Sequence, residues 1–306
     1  MAAATSQPAI KQSRFMRKAL PYLLSLPALL MCVGILIPFF TAAYYSLLRY
    51  RLNLPQMKGF IWFKNYTDFF TDAKFWNTAY ISLVYALLTV GVELLLGLAI
   101  ALLLQKQTRF NNVVSILLLL PLMTAPALAA LMWKLMTNPN FGILSYFVGL
   151  LGFTDFKWAS DPSTALFTVT LVDVWVYTPF IMILLLAGLR SLPKAPFEAA
   201  ALDGVPRSFV FFRITLPMLM PYIITATLFR MLDSIQQFDI IYAMTQGGPG
   251  DKLLVFQVQA YLDFFQSTNV GRSAALMIIL WAITYGLSNV FIKQWLKLRE
   301  RAHGSA

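Results

Sequence analysis

Five ionisable residues fall within otherwise apolar stretches of the sequence, at Glu93, Asp173, Arg230, Asp233 and Asp239. A charge in such surroundings is costly unless it is paired or faces water. Arg230 and Asp233 are three residues apart, which places them on one face of a helix and close enough to pair, and Gln237 continues that face. These residues therefore line a polar path, or they hold helices together through an Arg230–Asp233 pair and a bond from Glu93 to another helix.

The sequence lacks the residue sets that common enzymes and metalloproteins use. Its one histidine is His303 and its one cysteine is Cys32, which excludes His-containing triads, His-rich metal sites and thiolate clusters. The phosphate-loop pattern G-x-x-x-x-G-K-[ST] is absent, and the glycine-rich stretch 247–252 has neither its spacing nor a following helix. We therefore expect no catalytic residue, no metal site and no cofactor bound by this chain.

Composition and hydropathy predict a membrane protein, because 59% of the residues are hydrophobic and only 12% are charged. A helix needs roughly 20 apolar residues to cross a hydrocarbon core of about 30 Å. We expect an all-α, polytopic helix bundle with one transmembrane domain at 19–296 between tails at 1–18 and 297–306. Short connecting helices are expected on the outer face, in the first and third loops. Six stretches of sufficient length predict transmembrane helices at 19–48, 77–104, 111–136, 164–189, 218–243 and 272–296.

The distribution of charge predicts the orientation of this multi-pass chain in the lipid bilayer. Lys and Arg are in strong excess over acids in both tails and in the second and fourth loops, whereas the other loops are more balanced. Loops rich in Lys and Arg stay in the cytoplasm, so both termini are expected there. The net charge of +11 is thereby explained by topology, and no nucleic acid partner is expected.

The fourth loop, residues 190–217, predicts a helix, a turn and a second short helix that leads to Pro217. Glu198 complements the dipole of the first helix, residues 199–201 are alanines that favour helix, and Gly204 suits a C-terminal stop. Small side chains allow another protein to approach closely. The loop is therefore suited to docking into a cleft on a partner, although an ordinary interfacial loop has the same local features.

The same loop resembles the coupling motif of ATP-binding-cassette (ABC) importer permeases, which reads E-A-A, three residues, G, nine residues, I-x-L-P. The alanine that usually follows the glycine is Val205 here. The residues assigned to ATPase coupling by this resemblance are Glu198, Ala199, Ala200, Asp203, Gly204, Ile214, Leu216 and Pro217.

A second stretch, at 238–249, is similar to the F-D-x-I-Y-x-L-T-x-G-G-P segment of carbohydrate-uptake permeases of the maltose and glycerol-phosphate type, and Trp62, Asn65 and Tyr66 match their opening segment. The resemblance implies a type I ABC importer permease fold with a cytoplasmic coupling helix, in a bacterial or archaeal inner membrane. It implies three kinds of partner: a second homologous permease, two cytoplasmic subunits that bind ATP and Mg and hydrolyse ATP, and an external solute-binding protein.

The function implied is to form half of the translocation path for a sugar, whose hydroxyls favour carboxylates and amides beside aromatic rings. Pro179 predicts a helix break that opens backbone groups to solute, and the single basic residue at membrane depth favours a neutral sugar. A polyol or glycerol phosphate importer, and a membrane-embedded enzyme or scaffold, are the alternatives. The candidate path residues are Glu93, Asp173, Trp175, Tyr177, Arg230, Asp233, Gln236, Gln237 and Asp239.

Overall fold

The structure is a computed structural model that describes the backbone of residues 14–304 and the side-chain surroundings of residues 22–297. Within these residues the chain is mostly helical, and it contains one short hairpin of β1 (Leu48–Arg49) and β2 (Gly59–Phe60). The helices are α1 (Arg14–Ser46), α2 (Lys64–Thr71), α3 (Ala73–Leu104), α4 (Arg109–Leu118), α5 (Pro126–Met136), α6 (Ile143–Leu150), α7 (Ala165–Ser191), α8 (Ala195–Leu202), α9 (Arg207–Phe209), α10 (Leu216–Ile235), α11 (Asp239–Thr245), α12 (Phe256–Phe265) and α13 (Val270–Gly304).

Five helical segments of the described chain are long and apolar enough to cross a membrane: Tyr22–Ser46, Ala73–Leu104, Ala165–Ser191, Arg207–Ile235 and Val270–Lys297. They correspond to five of the six predicted helices. The prediction of one continuous helix at 111–136 is wrong, because α4 and α5 are separated by a 3-10 turn at Pro121–Met123. Pro121 and Pro126 lack the backbone N–H that a continuous helix requires, so the helix stops and restarts. The expected count of six crossings is not confirmed.

The predicted helix at 218–243 is also interrupted. It begins earlier, because α9 continues through a π-helical segment at Val210–Thr215 into α10, and it ends at Ile235, before α11 starts at Asp239. The expected separate short helix before Pro217 is therefore the first part of this span. The expected helices on the outer loops are present as α2 and α6.

The predicted tails differ from the structure at both ends. Helix α1 begins at Arg14, inside the predicted tail 1–18, and residues 1–13 lie outside the described part of the chain. Helix α13 continues to Gly304, through most of the predicted tail 297–306. The side chain of His303 lies outside the described residues.

Helices α3 and α7 form the centre of the bundle because glycine allows them to approach closely. A Cβ added at Gly97 of α3 would lie 2.8 Å from Ile181 Cγ2 and 3.1 Å from the backbone nitrogen of Met182 on α7. The side chains of Ile181 and Met182 are fully buried in a cluster that Leu219 of α10 completes. Close packing of three long helices gives rigid positions for the polar side chains that they carry.

The end of the bundle at which α1 ends and α3 begins is joined by specific polar contacts. Asn65 at the start of α2 donates from Nδ2 to the carbonyl oxygens of Ser46 (2.7 Å) and Leu48 (3.0 Å), where α1 ends. Arg272 of α13 donates to Asp72 Oδ2 at 2.7 Å, and this aspartate caps the first turn of α3. The loop between α1 and α3 is thus fixed against the start of α3 and α13.

Candidate functional site

A buried ionic cluster lies where three long helices meet. Arg230 of α10 donates from Nε to Glu93 Oε2 at 2.7 Å and from Nη2 to Glu93 Oε1 at 2.8 Å, a bidentate pair with α3. Its Nη2 also donates to Asp173 Oδ2 of α7 at 3.1 Å, and its Nη1 donates to Asp233 one turn along α10. Glu93, Asp173 and Arg230 are almost fully buried, and protein carboxylates accept four of the five N–H donors of the guanidinium.

Two further side chains complete the surroundings of this cluster. Gln237 donates from Nε2 to Asp173 Oδ1 at 3.0 Å, and its own Oε1 accepts the backbone N–H of Phe238 at 3.1 Å. The guanidinium carbon of Arg230 lies 3.9 Å from the centre of the Tyr177 ring, within the range of a cation–π contact. Gln237 therefore connects the charges to the break between α10 and α11.

A cavity of about 620 Å³ lies beside the cluster and contacts its outermost members. This volume is within the range of small-molecule sites in proteins. Asp233 faces it with a side chain that is 58% exposed, whereas Glu93 and Asp173 lie behind. Its principal polar and aromatic lining residues are Asp233, Gln236, Gln237, Asp239, Gln257, Ser273, Tyr177, Phe238, Tyr261 and Phe264.

The structure separates the sequence-predicted path residues into groups. Tyr177, Asp233, Gln236, Gln237 and Asp239 line the cavity, and Glu93, Asp173 and Arg230 support it from inside the bundle. Trp175 is not brought to this cavity: its ring packs 5.8 Å from that of Trp133 and lines a separate apolar cavity.

The expected break at Pro179 is also absent. Helix α7 continues through this residue, which is buried at the contact with neighbouring helices. Packing on both sides holds the helix together, although proline removes one backbone hydrogen bond. The break that faces the cavity lies instead between Ile235 and Asp239.

Sequence reasoning missed α12, which falls in the predicted fifth loop and is too short to be detected as a span. It contributes Gln257 and Tyr261 to the cavity. The Tyr261 ring lies 5.0 Å from that of Phe238 and 4.7 Å from that of Tyr242, and Phe238 stacks on Tyr242 at 4.9 Å. The aromatic residues of 238–242 and 256–265 were visible in the sequence, but their contact across the loop was not.

The predicted coupling loop folds around α8. The backbone N–H of Val205 donates to the carbonyl of Ala200 at 3.1 Å, and Gly204 has a φ of +66°, the arrangement of a Schellman C-cap. Ala200 is buried, whereas Glu198, Ala199, Asp203 and Gly204 are exposed. Ile214 and Leu216 lie half-buried on the following helical segment, and Pro217 is exposed there. The exposed part of the motif forms one accessible face, next to Leu202, which is 89% exposed.

Arg190, in the last turn of α7, connects the coupling loop to α3. Its Nη2 donates to the carbonyl oxygen of Leu104 at 3.0 Å and to Asn112 Oδ1 at 3.3 Å, and its Nε donates to the carbonyl oxygen of Gln105 at 3.4 Å. A cation at these carbonyls complements the negative end of the α3 dipole. The segment that carries α8 is therefore fixed to the end of the helix that carries Glu93.

Most of the chain matches a known family of transport proteins. Residues 93–301 match the model of the family described as binding-protein-dependent transport system inner membrane component. The chain is 31% identical to the trehalose/maltose transport system permease protein MalF of Thermococcus litoralis, over 92% of this chain and 95% of that one. It is 32% identical to the sn-glycerol-3-phosphate transport system permease protein UgpA of Pectobacterium atrosepticum, over 88% and 91%.

The fold is shared with a solved structure. A chain of a bacterial ABC transporter involved in the import of the acidic polysaccharide alginate superposes with a TM-score of 0.79 at 17% identity, over 93% of this chain and 98% of that one. This likeness confirms the expected helical membrane fold of an ABC importer permease. The family match, the two relatives and the fold agree, and this protein belongs to the family of binding-protein-dependent transport system inner membrane components, which are transport subunits of the membrane and not enzymes.

Proposed function

We propose that this chain forms one half of the translocation path for a sugar, and that the solute passes through the 620 Å³ cavity beside Arg230. The observation that carries the proposal is the composition of the cavity wall. Carboxylate and amide groups of Asp233, Gln236 and Gln257 face the same space as the rings of Tyr177 and Tyr261. Such a wall offers hydrogen bonds to hydroxyls and flat apolar surfaces to the faces of sugar rings.

The charges of the wall favour a neutral solute. Four of the five N–H donors of Arg230 bind Glu93, Asp173 and Asp233. Its side chain is buried behind the cavity wall, whereas Asp233 and Asp239 add negative charge to that wall. A phosphate or carboxylate group would be repelled. These contacts support a neutral mono- or oligosaccharide over glycerol phosphate, the substrate in the name of one relative.

The exposed face of α8 supports a contact with a cytoplasmic ATPase. Glu198, Ala199 and Asp203 lie on it beside the exposed Leu202. We assign ATP and Mg to two such partner subunits and none to this chain. An external protein delivers the solute, in agreement with the family description. A second, homologous permease completes the path. The turn at 247–249 is the proposed contact for that external protein.

A coupling loop that contacts a cytoplasmic ATPase implies that both termini also lie in the cytoplasm. Termini on one side of the membrane require an even number of crossings. We propose that α4 and α5 cross the membrane together as one interrupted span, in addition to the five long helices. The proline-containing break at 119–125 then lies within the bilayer. It is tolerated where neighbouring helices cover it, and residues of α7 pack beside it.

The test is uptake by the assembled transporter, reconstituted into vesicles with its ATPases and its binding protein and supplied with trehalose, maltose or glycerol 3-phosphate. Asp233→Asn and Gln236→Ala are expected to lower neutral-sugar uptake about 10-fold or more, because each removes hydrogen bonds to the solute. Asp155→Asn, on an exposed outer loop, is the matched control and should transport normally.

Two results would contradict the proposal. Wild-type uptake by the Asp233, Gln236 and Tyr261→Ala variants would exclude this cavity as the path. Transport of glycerol 3-phosphate without transport of either sugar would favour the alternative solute class.

A further inference from the structure

A second cavity, of about 380 Å³, lies on the outer face, away from the proposed path. It is bounded by the hairpin after α1, by α2 and by the residue before α13. Arg49, Arg51 and Lys64 supply three positive charges to its wall, and Asp68 supplies one negative charge. We call it the outer basic cleft.

The positive charges of this cleft have no acidic partner among the described residues. None of Arg49, Arg51 and Lys64 forms a side-chain hydrogen bond or a salt bridge within the part of the chain that the structure describes. By contrast, Lys74 and Arg272 of the same outer face are paired with Asp251 and with Asp72. Cations gathered in one cleft and left unpaired attract an anion.

The position of the cleft identifies the level of the membrane at which it lies. The apolar span of α1 ends at Ser46, and Arg49 follows only three residues later. Three residues of extended chain reach at most about 10 Å, so Arg49 stays near the headgroup layer that flanks the hydrocarbon core. The cleft is thus placed where lipid phosphates are concentrated.

The other side chains around the cleft are suited to a lipid. Leu54, Met57 and Ile61 line one part of its wall and offer apolar contact beside the cations. Trp62 and Phe63, next in sequence, are 68% and 64% exposed. Exposed aromatic rings at this level are typical of residues that insert between lipid headgroups.

We propose that the outer basic cleft binds the phosphate of an anionic phospholipid of the outer leaflet, with Arg49, Arg51 and Lys64 around the phosphate and Leu54, Met57 and Ile61 against the glycerol and upper acyl chain. The proposal rests on the proposed orientation, with both termini in the cytoplasm, and it does not depend on which solute the transporter carries. Binding of a lipid here would fix the first outer loop at the membrane surface.

The experiment is a titration of the assembled, detergent-purified transporter with phosphatidylglycerol, followed by native mass spectrometry. The double variant Arg49→Gln/Arg51→Gln is expected to bind this lipid about 10-fold or more weakly at low salt, since each removed charge contributes to attraction near the surface. Added salt should weaken binding to the wild type more than to the variant. Lys157→Gln/Lys252→Gln removes two outer charges elsewhere and should bind like the wild type.

Further measurements distinguish a lipid phosphate from free phosphate and control for misfolding of the variant. Arg49→Lys/Arg51→Lys keeps the charges and should restore most of the binding. Diacylglycerol, which lacks the phosphate, should not compete. Inorganic phosphate that competes as well as phosphatidylglycerol would overturn the proposal of a lipid site, and so would equal lipid binding by the Gln variant and the wild type. Unchanged lipid binding with lost stimulation by the external binding protein would assign the cleft to a protein contact.

Discussion

Arg230 and Glu93 join α10 to α3 through two parallel hydrogen bonds of 2.7 and 2.8 Å, in a place from which water is excluded. The carboxylate of Asp173 adds the third helix at 3.1 Å. One buried cation is shared by three carboxylates, so Glu93 supplies its bidentate acceptor, and loss of Arg230 would leave buried carboxylates without a counter-charge. The contribution of this cluster to stability can therefore be measured separately from any contact of its members with solute.

Glu93→Ala is expected to destabilise the assembled transporter by about 3–5 kcal/mol, because the Arg230 guanidinium would lose its bidentate acceptor inside the bundle. Asp233→Asn should cost about 1 kcal/mol or less, since that side chain is 58% exposed. Thermal unfolding of the two variants beside the wild type measures the difference. Equal losses for both would show that the Glu93–Arg230 pair does not hold the helices together.

Gly97→Ala tests the close approach of α3 and α7. The added methyl would lie 2.8 Å from Ile181 Cγ2 and 3.1 Å from a backbone nitrogen, so overpacking should cost about 1–3 kcal/mol. Gly91→Ala, on the same helix, meets nothing within 4 Å and should be neutral or stabilising by up to about 1 kcal/mol. The melting temperature of Gly97→Ala should therefore lie below that of the wild type, and that of Gly91→Ala at or above it. Identical melting temperatures for the two variants would contradict the close contact between α3 and α7.

Gly204→Val is expected to abolish uptake while the protein remains in the membrane, because a φ of +66° is strained for a β-branched residue and the cap that orients α8 would be lost. Gly204→Asn is the control, since asparagine tolerates this conformation and should retain most of the transport. Glu198→Lys reverses the charge of the exposed face and should also abolish uptake. Wild-type transport by Gly204→Val and Glu198→Lys would remove the coupling assignment.

The interrupted crossing can be tested by labelling cysteines from one side of the membrane. In a Cys32→Ser background, Gln107→Cys and Asn140→Cys lie before α4 and after α5. A membrane-impermeant maleimide added from outside should label position 140 and not position 107. Labelling of both positions from the same side would mean that α4 and α5 return to the surface at which they started.

Acidification should stabilise the outer face through Asp263. Burial raises the pKa of this carboxyl above its ordinary value, although Arg272 opposes the shift. Because the pKa of Asp263 is higher in the folded protein than in the unfolded chain, protonation of this carboxyl favours the folded state. This stabilisation is fully present below the pKa of the unfolded chain, about 3.9, and is lost as the pH rises through the pKa of the folded protein. Wild-type melting temperature should therefore fall relative to that of Asp263→Asn as the pH rises above about 4; parallel pH profiles would exclude this effect.

The sequence was sufficient for the helices that are long and have an extended apolar interior, because length and hydropathy alone predict a crossing. It was also sufficient for the Arg230–Asp233 pair, whose contact depends only on the spacing of a helix. The residues at which helices end or are interrupted could not be predicted as well. Pro121 and Pro126 interrupt a helix, whereas Pro179 does not, and the difference depends on the packing around each residue.

The cavity could be predicted only in part, because its wall combines residues that are distant in sequence. Gln236 and Asp239 were recognised from their own polar segment, but Tyr261 reaches the same space from α12. The sequence predicts Trp175 in the path because an aromatic face beside a carboxylate suits a sugar. On a helix, residues two positions apart point in different directions, and this ring faces the other side of α7.

Arg190 holds the C-terminal end of α3, and α3 is uninterrupted from there to Glu93. Eleven residues separate Leu104 from Glu93, a length of about 17 Å at the rise of an α-helix. Such a helix transmits a push along its axis as a stiff rod. A displacement of this end of α3 would therefore also displace Glu93 and the buried charges that it holds.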